Sequence, residues 1–346
     1  MEVKKKTSNR IDVHHHINPD VYREGLAANG VYHGGGMPIK TWKVEDSLAW
    51  MDDFGIETAI CSIAEPAVYP LVDGSIDQAK AIARKTNEYM AEMRDRYPGR
   101  FGGFAVLPMP DIDAAAEEMA YALDELKLDG VGLLSNYYDT YLGDAILDDF
   151  FDELQKRKAV VYVHPSIPNP KMVRPEFLRG VDFMEEFPFN THRAQANLIF
   201  SGTMERCPDI KPIFSHMGGT FPYLRYRLWD LYSGAVTDLP TEPKNPRKLP
   251  LADNVVDAWY SLSKPLTEYM KQFWYDTALS CHEIAFRAAE ITAPGHTMFG
   301  SDSFYAFPEN AKRNVEISEE YFDDAALHAV NRGNAEKLFP RLAEKR

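Results

Sequence analysis

Two histidines near the start of the chain have the spacing of a metal site. They lie in the run IDVHHH, residues 11–16. In an extended strand, residues i and i+2 point to the same side, so His14 and His16 project together while His15 points away. Two converging imidazoles supply half of the ligands that a divalent metal ion requires. The run alone is equally compatible with a histidine-rich strand end exposed to solvent.

Two further polar residues each close an apolar run. His164 ends the run AVVYVH and precedes Pro165, and Asp302 ends the run TMFGSD. An aspartate is rarely buried at the end of an apolar strand, whereas a bound cation would account for one. We therefore predict that His14, His16, His164 and Asp302 hold a metal ion.

A fifth candidate, His216, ends the run PIFSH and is followed by Gly218 and Gly219. These glycines would let backbone or substrate approach closely. His216 could be a fifth ligand, a general acid or base, or a hydrogen-bonded core histidine. We favour a role in proton transfer or electrostatic stabilisation.

These candidates need elements that bring distant parts of the chain together. Eight apolar runs rich in β-branched and aromatic residues recur along the sequence, at residues 11–16, 58–64, 101–107, 130–135, 159–164, 211–216, 273–277 and 297–302. Several are near-continuously hydrophobic, as in strands of a parallel sheet that is buried on both faces. Helical patterns lie between them at residues 76–97, 112–126, 145–156 and 191–206.

Alternation of strand and helix over this length predicts an α/β fold, a (β/α)₈ TIM barrel. The carboxyl ends of its strands would bring the five candidates to one rim. A doubly wound open sheet is the alternative, but the glycine-rich first turn typical of that fold is missing.

Two segments interrupt the alternation and are predicted to be long loops at the pocket mouth, after strand 1 and strand 6. Residues 22–42 contain Gly34-Gly35-Gly36, and residues 234–251 contain four prolines. No repeat or linker divides the chain, so a single domain over residues 1–346 is expected. The aromatic residues Phe187, Phe304 and Tyr305 could line a flat aromatic pocket or could simply pack against their neighbours.

Composition limits the partners. The 346 residues include 38 Lys and Arg against 52 Asp and Glu, a net charge of −14, which disfavours nucleic acid and anionic membranes. An anionic substrate would have to be bound locally, by a metal cation or by a suitably placed arginine. The three cysteines form no CxxC pair, and no apolar run suits a signal peptide or a membrane span. A cytoplasmic protein is expected.

The motifs IDVHHH, VYVHP, IFSHMGG, FWYDTA, MFGSD and GNAEKLF resemble the decarboxylase branch of the amidohydrolase superfamily. This branch includes the aminocarboxymuconate semialdehyde, γ-resorcylate, carboxyvanillate and methylsalicylate decarboxylases. The resemblance covers residues 11–339. It implies one Zn²⁺ or Mn²⁺ per subunit on His14, His16, His164 and Asp302, and His216 beside the metal as the catalytic histidine. It also implies a homodimer or higher homo-oligomer.

Departures from related enzymes refine this expectation. Hydrolytic amidohydrolases with two metals usually have a bridging lysine on the fourth strand, but residues 130–135 read GVGLLS, which favours one metal. The segment KVEDSLAWMD after Trp42 lacks the arginines expected from a resemblance to aminocarboxymuconate semialdehyde decarboxylase. Arg227 matches an arginine that those enzymes contribute across the dimer interface, although it could equally be an ordinary surface arginine.

The predicted function is therefore a metal-dependent, non-oxidative decarboxylase, a carboxy-lyase. Its expected substrate is a small hydroxylated aromatic acid similar to salicylate, and it would release CO₂. Either Asp302 or His216 would donate the proton to the ring. The alternatives are a metal-dependent hydrolase of a lactone or amide, and a barrel that binds a metal or ligand without turnover.

Overall fold

Eight parallel strands pair in chain order and form a barrel. The computed structural model describes residues 9–168, 182–235 and 262–343. The strands, numbered here β1 to β8, are Arg10–His16, Ile56–Ser62, Phe101–Ala105, Gly130–Leu134, Val160–His164, Lys211–Phe214, Trp274–Asp276 and Thr297–Met298. Backbone contacts of the segment after β8 with β1 close the barrel: Asp302 N–H donates to His14 O (2.8 Å), and His16 N–H donates to Ser303 O (2.6 Å). The predicted TIM barrel is confirmed.

Helices fill most connections between the strands and pack on the outside of the sheet. Their α-helical bounds are Asp20–Ala28, Val44–Asp53, Val72–Arg96, Ile112–Ala120, Asp148–Arg157, Asp182–Phe200, Thr203–Arg206, Ser215–Gly218, Phe221–Ala235, Leu266–Met270, Glu283–Thr292, Pro308–Tyr321, Asp324–His328, Asn334–Leu338 and Pro340–Ala343. Shorter 3₁₀ or π turns cover Tyr69–Leu71, Tyr121–Glu125, Ala145–Leu147 and Ala329–Gly333. Among the described residues, no helix combines the length and apolar character needed to cross a bilayer.

The segment after β1 has more structure than its predicted loop. Residues 22–42 include most of helix Asp20–Ala28. Tyr22 and Leu26 are four residues apart and both buried, which gives this helix one apolar face that packs on the protein. A small hairpin follows, in which His33–Gly34 pairs with Met37–Pro38. Of the second predicted loop, residues 234–251, the first two residues end helix Phe221–Ala235 and the others lie outside the described residues.

Inside the barrel, apolar side chains form one cluster. It includes Ile11, Val13, Ile60, Phe104, Tyr162, Ile213 and Met298. Phe339 from the C-terminal helices packs against Phe104, with ring centroids 6.0 Å apart, and belongs to the same cluster. Arg341 Nη2 also bonds Asp129 Oδ2 (2.7 Å), just before β4 begins, so the C-terminal segment covers the amino end of the barrel. The opposite, carboxyl end is left for the polar site.

Strands β6 and β8 end before the residues that were predicted to close them. β6 ends at Phe214 and β8 at Met298, whereas His216 lies in the short segment Ser215–Gly218, whose backbone is not regular helix, and Asp302 lies in the turn after β8. His216 has φ 54° and Asp302 has φ 56°, left-handed values that a strand cannot accommodate. Such conformations cost about 1–3 kcal/mol each and concentrate at functional sites.

Candidate metal centre and active site

At the carboxyl end of the barrel, two histidines of β1 converge on a carboxylate. His14 Nε2 and His16 Nε2 lie 2.9 Å apart. Asp302 Oδ1 is 3.3 Å from His14 Nε2 and 3.2 Å from His16 Nε2. All three residues are buried. Because His14 and His16 are two residues apart in β1, their side chains project to the same side. The register between β1 and β2 shifts between Asp12 and His15, and at this irregularity Val13 and His14 both face the barrel interior.

His164 and His216 complete the cluster. The His164 ring lies 4.9 Å from that of His16, and the His216 ring lies 5.0 Å from that of His14, between centroids. His216 Nε2 is 3.7 Å from Asp302 Oδ2. The ligand atoms form two overlapping groups that could hold a metal ion: His14, His164 and His216, and His14, His16 and Asp302. All five predicted residues are thus brought together, four of them buried and His216 partly exposed, and this set of nitrogen and oxygen donors fits a divalent transition metal.

The remaining ring nitrogens of the predicted ligands have hydrogen-bond partners. His14 Nδ1 is 3.0 Å from Asp276 Oδ2, His16 Nδ1 is 3.2 Å from Ser62 Oγ, and His164 Nδ1 is 2.8 Å from Pro165 O. Such outer partners fix ring orientation and direct the other nitrogen towards the metal.

Sequence reasoning missed Asp276, the last residue of β7. Besides contacting His14, its Oδ1 accepts the N–H groups of His216 (3.1 Å) and Ala278 (3.0 Å). One buried carboxylate therefore holds a predicted ligand and the turn that carries His216. The sequence does contain a feature that could have identified Asp276: in the motif FWYDTA this aspartate closes an apolar run, as Asp302 does in TMFGSD.

Burial and the neighbouring charged groups shift the pKa values of the cluster in different directions. Burial lowers the pKa of His14, but Asp276 and Asp302 outweigh it and raise that pKa to about 10. Burial lowers the pKa of His16 and, more strongly, that of His164. Burial acts to raise the pKa of Asp302, yet the adjacent histidines, His14 foremost, hold it well below its usual value.

His15 faces the other side of β1, as its position in the strand predicted. Its Nδ1 is 3.0 Å from Asp12 Oδ2, and its Nε2 is 2.8 Å from Ser47 Oγ on helix Val44–Asp53. Asp12 also accepts the Ser301 N–H (2.9 Å) and the Ser301 hydroxyl (2.6 Å). These buried contacts tie β1 to the segment that ends in Asp302.

The predicted aromatic residues have different positions. Phe187 is buried, and its ring lies 5.7 Å from that of His164, edge to face. Tyr305 lies 5.4 Å from the His16 ring, and Phe304 stacks on Tyr305 at 4.8 Å. Arg227 is exposed on helix Phe221–Ala235, and its role in a neighbouring subunit stays a prediction.

A small cavity lies beside His164. Its lining is mainly apolar and comes from β3, β4 and β5 and from the residues after β2 and β3: Ile63, Ala67, Phe104, Ala105, Val106, Gly132, Leu133, Leu134, Tyr162 and His164. An apolar surface beside a predicted ligand histidine favours contact with an apolar part of a bound molecule.

The sequence profile of the amidohydrolase family matches residues 11–341. The chain belongs to the amidohydrolase family. Its relatives include the 6-methylsalicylic acid decarboxylase of Penicillium expansum, 34% identical over 96% of this chain and 97% of that protein. The γ-resorcylate decarboxylase of Polaromonas sp. is 27% identical over 84% of this chain and 85% of that protein. The predicted resemblance to the decarboxylase branch is confirmed.

One solved structure extends the comparison to the fold. It is a dihydroxybenzoic acid decarboxylase from Polaromonas sp. with bound manganese and the inhibitor 2-nitroresorcinol. The TM-score is 0.76 at 22% identity, covering 96% of this chain and 97% of that one. At that identity the likeness establishes the shared barrel.

Metal binding to this amidohydrolase should release protons. In protein stripped of metal, His14 has its pKa raised to about 10 and so carries a proton at pH 7, while His16 and His164 have lowered pKa values and are neutral. A ligand histidine must be neutral, so we expect release of about one proton per ion at pH 7 and affinity that rises with pH towards 10. Calorimetry in two buffers of different ionisation enthalpy measures this number. A heat independent of buffer contradicts the prediction.

Replacing Asp276 with asparagine should weaken the metal site of this amidohydrolase without removing a predicted ligand. The amide lacks the charge that holds His14, so we expect about 10- to 100-fold weaker metal affinity, the usual cost of losing an outer partner. The variant should also release fewer protons on binding, because His14 loses one of its two carboxylates. Competition with a chelator measures the affinity. Wild-type affinity and proton release would contradict the role of Asp276.

Proposed function

We propose that this chain is a metal-dependent, non-oxidative decarboxylase of a small hydroxylated aromatic acid. The observation that carries the proposal is the buried cluster of His14, His16, His164 and Asp302. His216 Nε2 lies 3.7 Å from Asp302 Oδ2, the oxygen that does not face His14 and His16. A binding module would need ligands but no additional acid or base. The similarity to proteins named as aromatic acid decarboxylases supports the same class.

The four residues would hold one Zn²⁺ or Mn²⁺ per subunit. The bound metal would supply positive charge that neutralises the substrate carboxylate and holds it together with a neighbouring hydroxyl. A second metal would need a bridging residue, and β4, Gly130–Leu134, contains no lysine. A local cation also explains how an acidic chain of net charge −14 could bind an anion.

The chain's own residues would position the ring. Phe187 borders His164 and Tyr305 borders His16, so an aromatic acid would lie between two aromatic side chains. Tyr305 is itself fixed, since Asn18 Nδ2 donates to its hydroxyl (3.2 Å).

His216 is the proposed proton donor. A carboxylate that binds a cation carries no proton, which leaves His216 rather than Asp302 to hold it. His216 would protonate the ring carbon that bears the carboxylate. The bond from that carbon to the carboxylate then breaks, CO₂ leaves, and the electron pair returns to the ring. Each turnover consumes one proton and needs no oxidant or reductant.

The working form is proposed to be a cytoplasmic homodimer or higher homo-oligomer in which Arg227 contributes to the neighbouring site. The exposed aromatic side chains of Tyr223 and Tyr226 on the same helix support an interface there. Light scattering of the wild type and Arg227→Ala gives the mass of each. A monomeric wild type would contradict this part of the proposal.

A substrate panel tests the activity. Metal-loaded protein is incubated with salicylate, 6-methylsalicylate and 2,6-dihydroxybenzoate, and CO₂ and the phenolic product are measured. We expect turnover of at least one, with 6-methylsalicylate converted to 3-methylphenol. The matched control, 4-hydroxybenzoate, has no hydroxyl next to the carboxylate and should not react. Hydrolysis of a lactone without CO₂ release from any acid would overturn the assignment.

A further inference from the structure

A buried carboxylate lies outside the metal cluster and has no part in the proposed chemistry. Glu65, three residues after the end of β2, is 5% exposed. Its Oε2 accepts the backbone N–H of Gly35, and its Oε1 accepts the Tyr69 hydroxyl at 3.1 Å. Burying a carboxylate costs free energy unless hydrogen bonds compensate for the lost hydration, so a buried Glu65 suggests a specific role.

The partner of Glu65 is the tip of the hairpin between His33–Gly34 and Met37–Pro38. A side chain at Gly34 would overlap the carbonyl oxygen of Glu65, so the hairpin backbone lies directly on this residue. Gly35 has φ +57°, which favours glycine, and a Cβ built there would lie 2.9 Å from Phe187 Cζ. The hairpin therefore touches Glu65 on one side and Phe187 on the other.

Phe187 is the link to the active site, because its ring lies 5.7 Å from that of His164. Contacts thus run from Glu65 through the Gly35 backbone to Phe187 and then to a predicted metal ligand. We propose that Glu65 is a positioning residue that holds the glycine hairpin against Phe187 and so fixes the aromatic wall of the substrate pocket. The inference deepens the proposed function and rests on it for its kinetic consequences.

The ionisation of Glu65 should make its hold on the hairpin depend on pH. Burial raises its pKa to about 7, while the bonds from Gly35 and Tyr69 oppose that rise. The titratable groups that face it are Tyr69, Asp182 of helix Asp182–Phe200, Tyr22 and Tyr305. A charged acceptor binds an N–H more strongly than a neutral one, so the hairpin is held most firmly above pH 7.

Exchange of backbone amides tests the positioning without using activity. In metal-loaded protein, the peptide over residues 31–38 should exchange faster in Glu65→Ala than in wild type. Glu65→Gln keeps an acceptor for Gly35 and should retain most of the protection. Equal exchange in wild type and Glu65→Ala would overturn the proposal.

Kinetics test the consequence for the pocket. Glu65→Ala should raise KM for the best acid of the panel about tenfold, the effect of one lost buried hydrogen bond, with kcat changed much less. At pH 6, where Glu65 is mostly neutral, Glu65→Gln should have a KM close to that of wild type. As pH rises through 7, KM should fall in wild type but stay constant in Glu65→Gln. An equal loss of kcat and kcat/KM in Glu65→Ala would indicate general damage and contradict the proposal.

A substitution in the hairpin tests the contact with Phe187 directly. Gly35→Ala should raise KM because its methyl group displaces Phe187. Gly30→Ala is its matched control: Gly30 also has positive φ (+79°), but a Cβ there meets nothing within 4 Å. Equal kinetics for the two variants would overturn the inference. Wild-type protein that turns over no acid would instead contradict the proposed function, and amide exchange still decides whether Glu65 holds the hairpin.

Discussion

His216→Ala should abolish most turnover while leaving the metal in place. If His216 donates the proton, its removal should lower kcat about 10²- to 10⁴-fold, the usual contribution of a positioned acid or base. The four predicted ligands remain, so metal content by mass spectrometry should match the wild type. The backbone N–H of residue 216 can still donate to Asp276, so the turn should persist.

The outcome of this substitution separates two roles that the geometry allows. His216 belongs to one of the two groups of residues that could hold a metal. Loss of the ion from His216→Ala would therefore show that His216 is a ligand. The control is His328→Ala, at an exposed histidine on helix Asp324–His328, which should keep wild-type kcat and metal content.

Asp302→Asn should lose metal and activity together. The amide replaces the carboxylate whose Oδ1 faces both His14 and His16, and it is a weaker ligand for a hard or borderline cation. We expect turnover to fall about a thousandfold, because a metal ion contributes several kcal/mol to transition-state stabilisation.

The fold should survive that change. Asp302 lies at the polar rim, outside the apolar cluster in the barrel, and its backbone contact with His14 does not depend on its side chain. Circular dichroism should therefore match the wild type. Asp53→Asn makes the same chemical change at an exposed position and should alter neither metal content nor rate. Full metal occupancy in Asp302→Asn would refute its role as a ligand.

The barrel and the five central residues could be predicted because their signals are local. Strand runs are visible in hydrophobicity alone, and a histidine or aspartate that closes such a run is conspicuous. The i and i+2 rule also placed His14 and His16 on one side and His15 on the other. The rule succeeded for this pair even though a register shift breaks the alternation between Val13 and His14, both of which face the barrel interior.

The parts that sequence reasoning missed depend on contacts between distant segments. Asp276 contacts a histidine 262 positions away, and Glu65 bonds a glycine 30 positions away. No local pattern encodes either pairing. Similarly, the left-handed backbone conformations of His216 and Asp302 depend on the surrounding tertiary structure. Histidine and aspartate adopt positive φ too rarely for the sequence alone to predict it.

Closure of the barrel has a consequence for biosynthesis. His14 and Asp302 meet where the segment after β8 bonds β1, so the cluster joins the first and last strands of the sheet. A chain that is still being synthesised cannot assemble this set of donors until β8 and Asp302 have been made. Metal binding at this site is therefore expected only after the barrel has closed, and a bound ion would stabilise the closed barrel by linking β1 to the segment after β8.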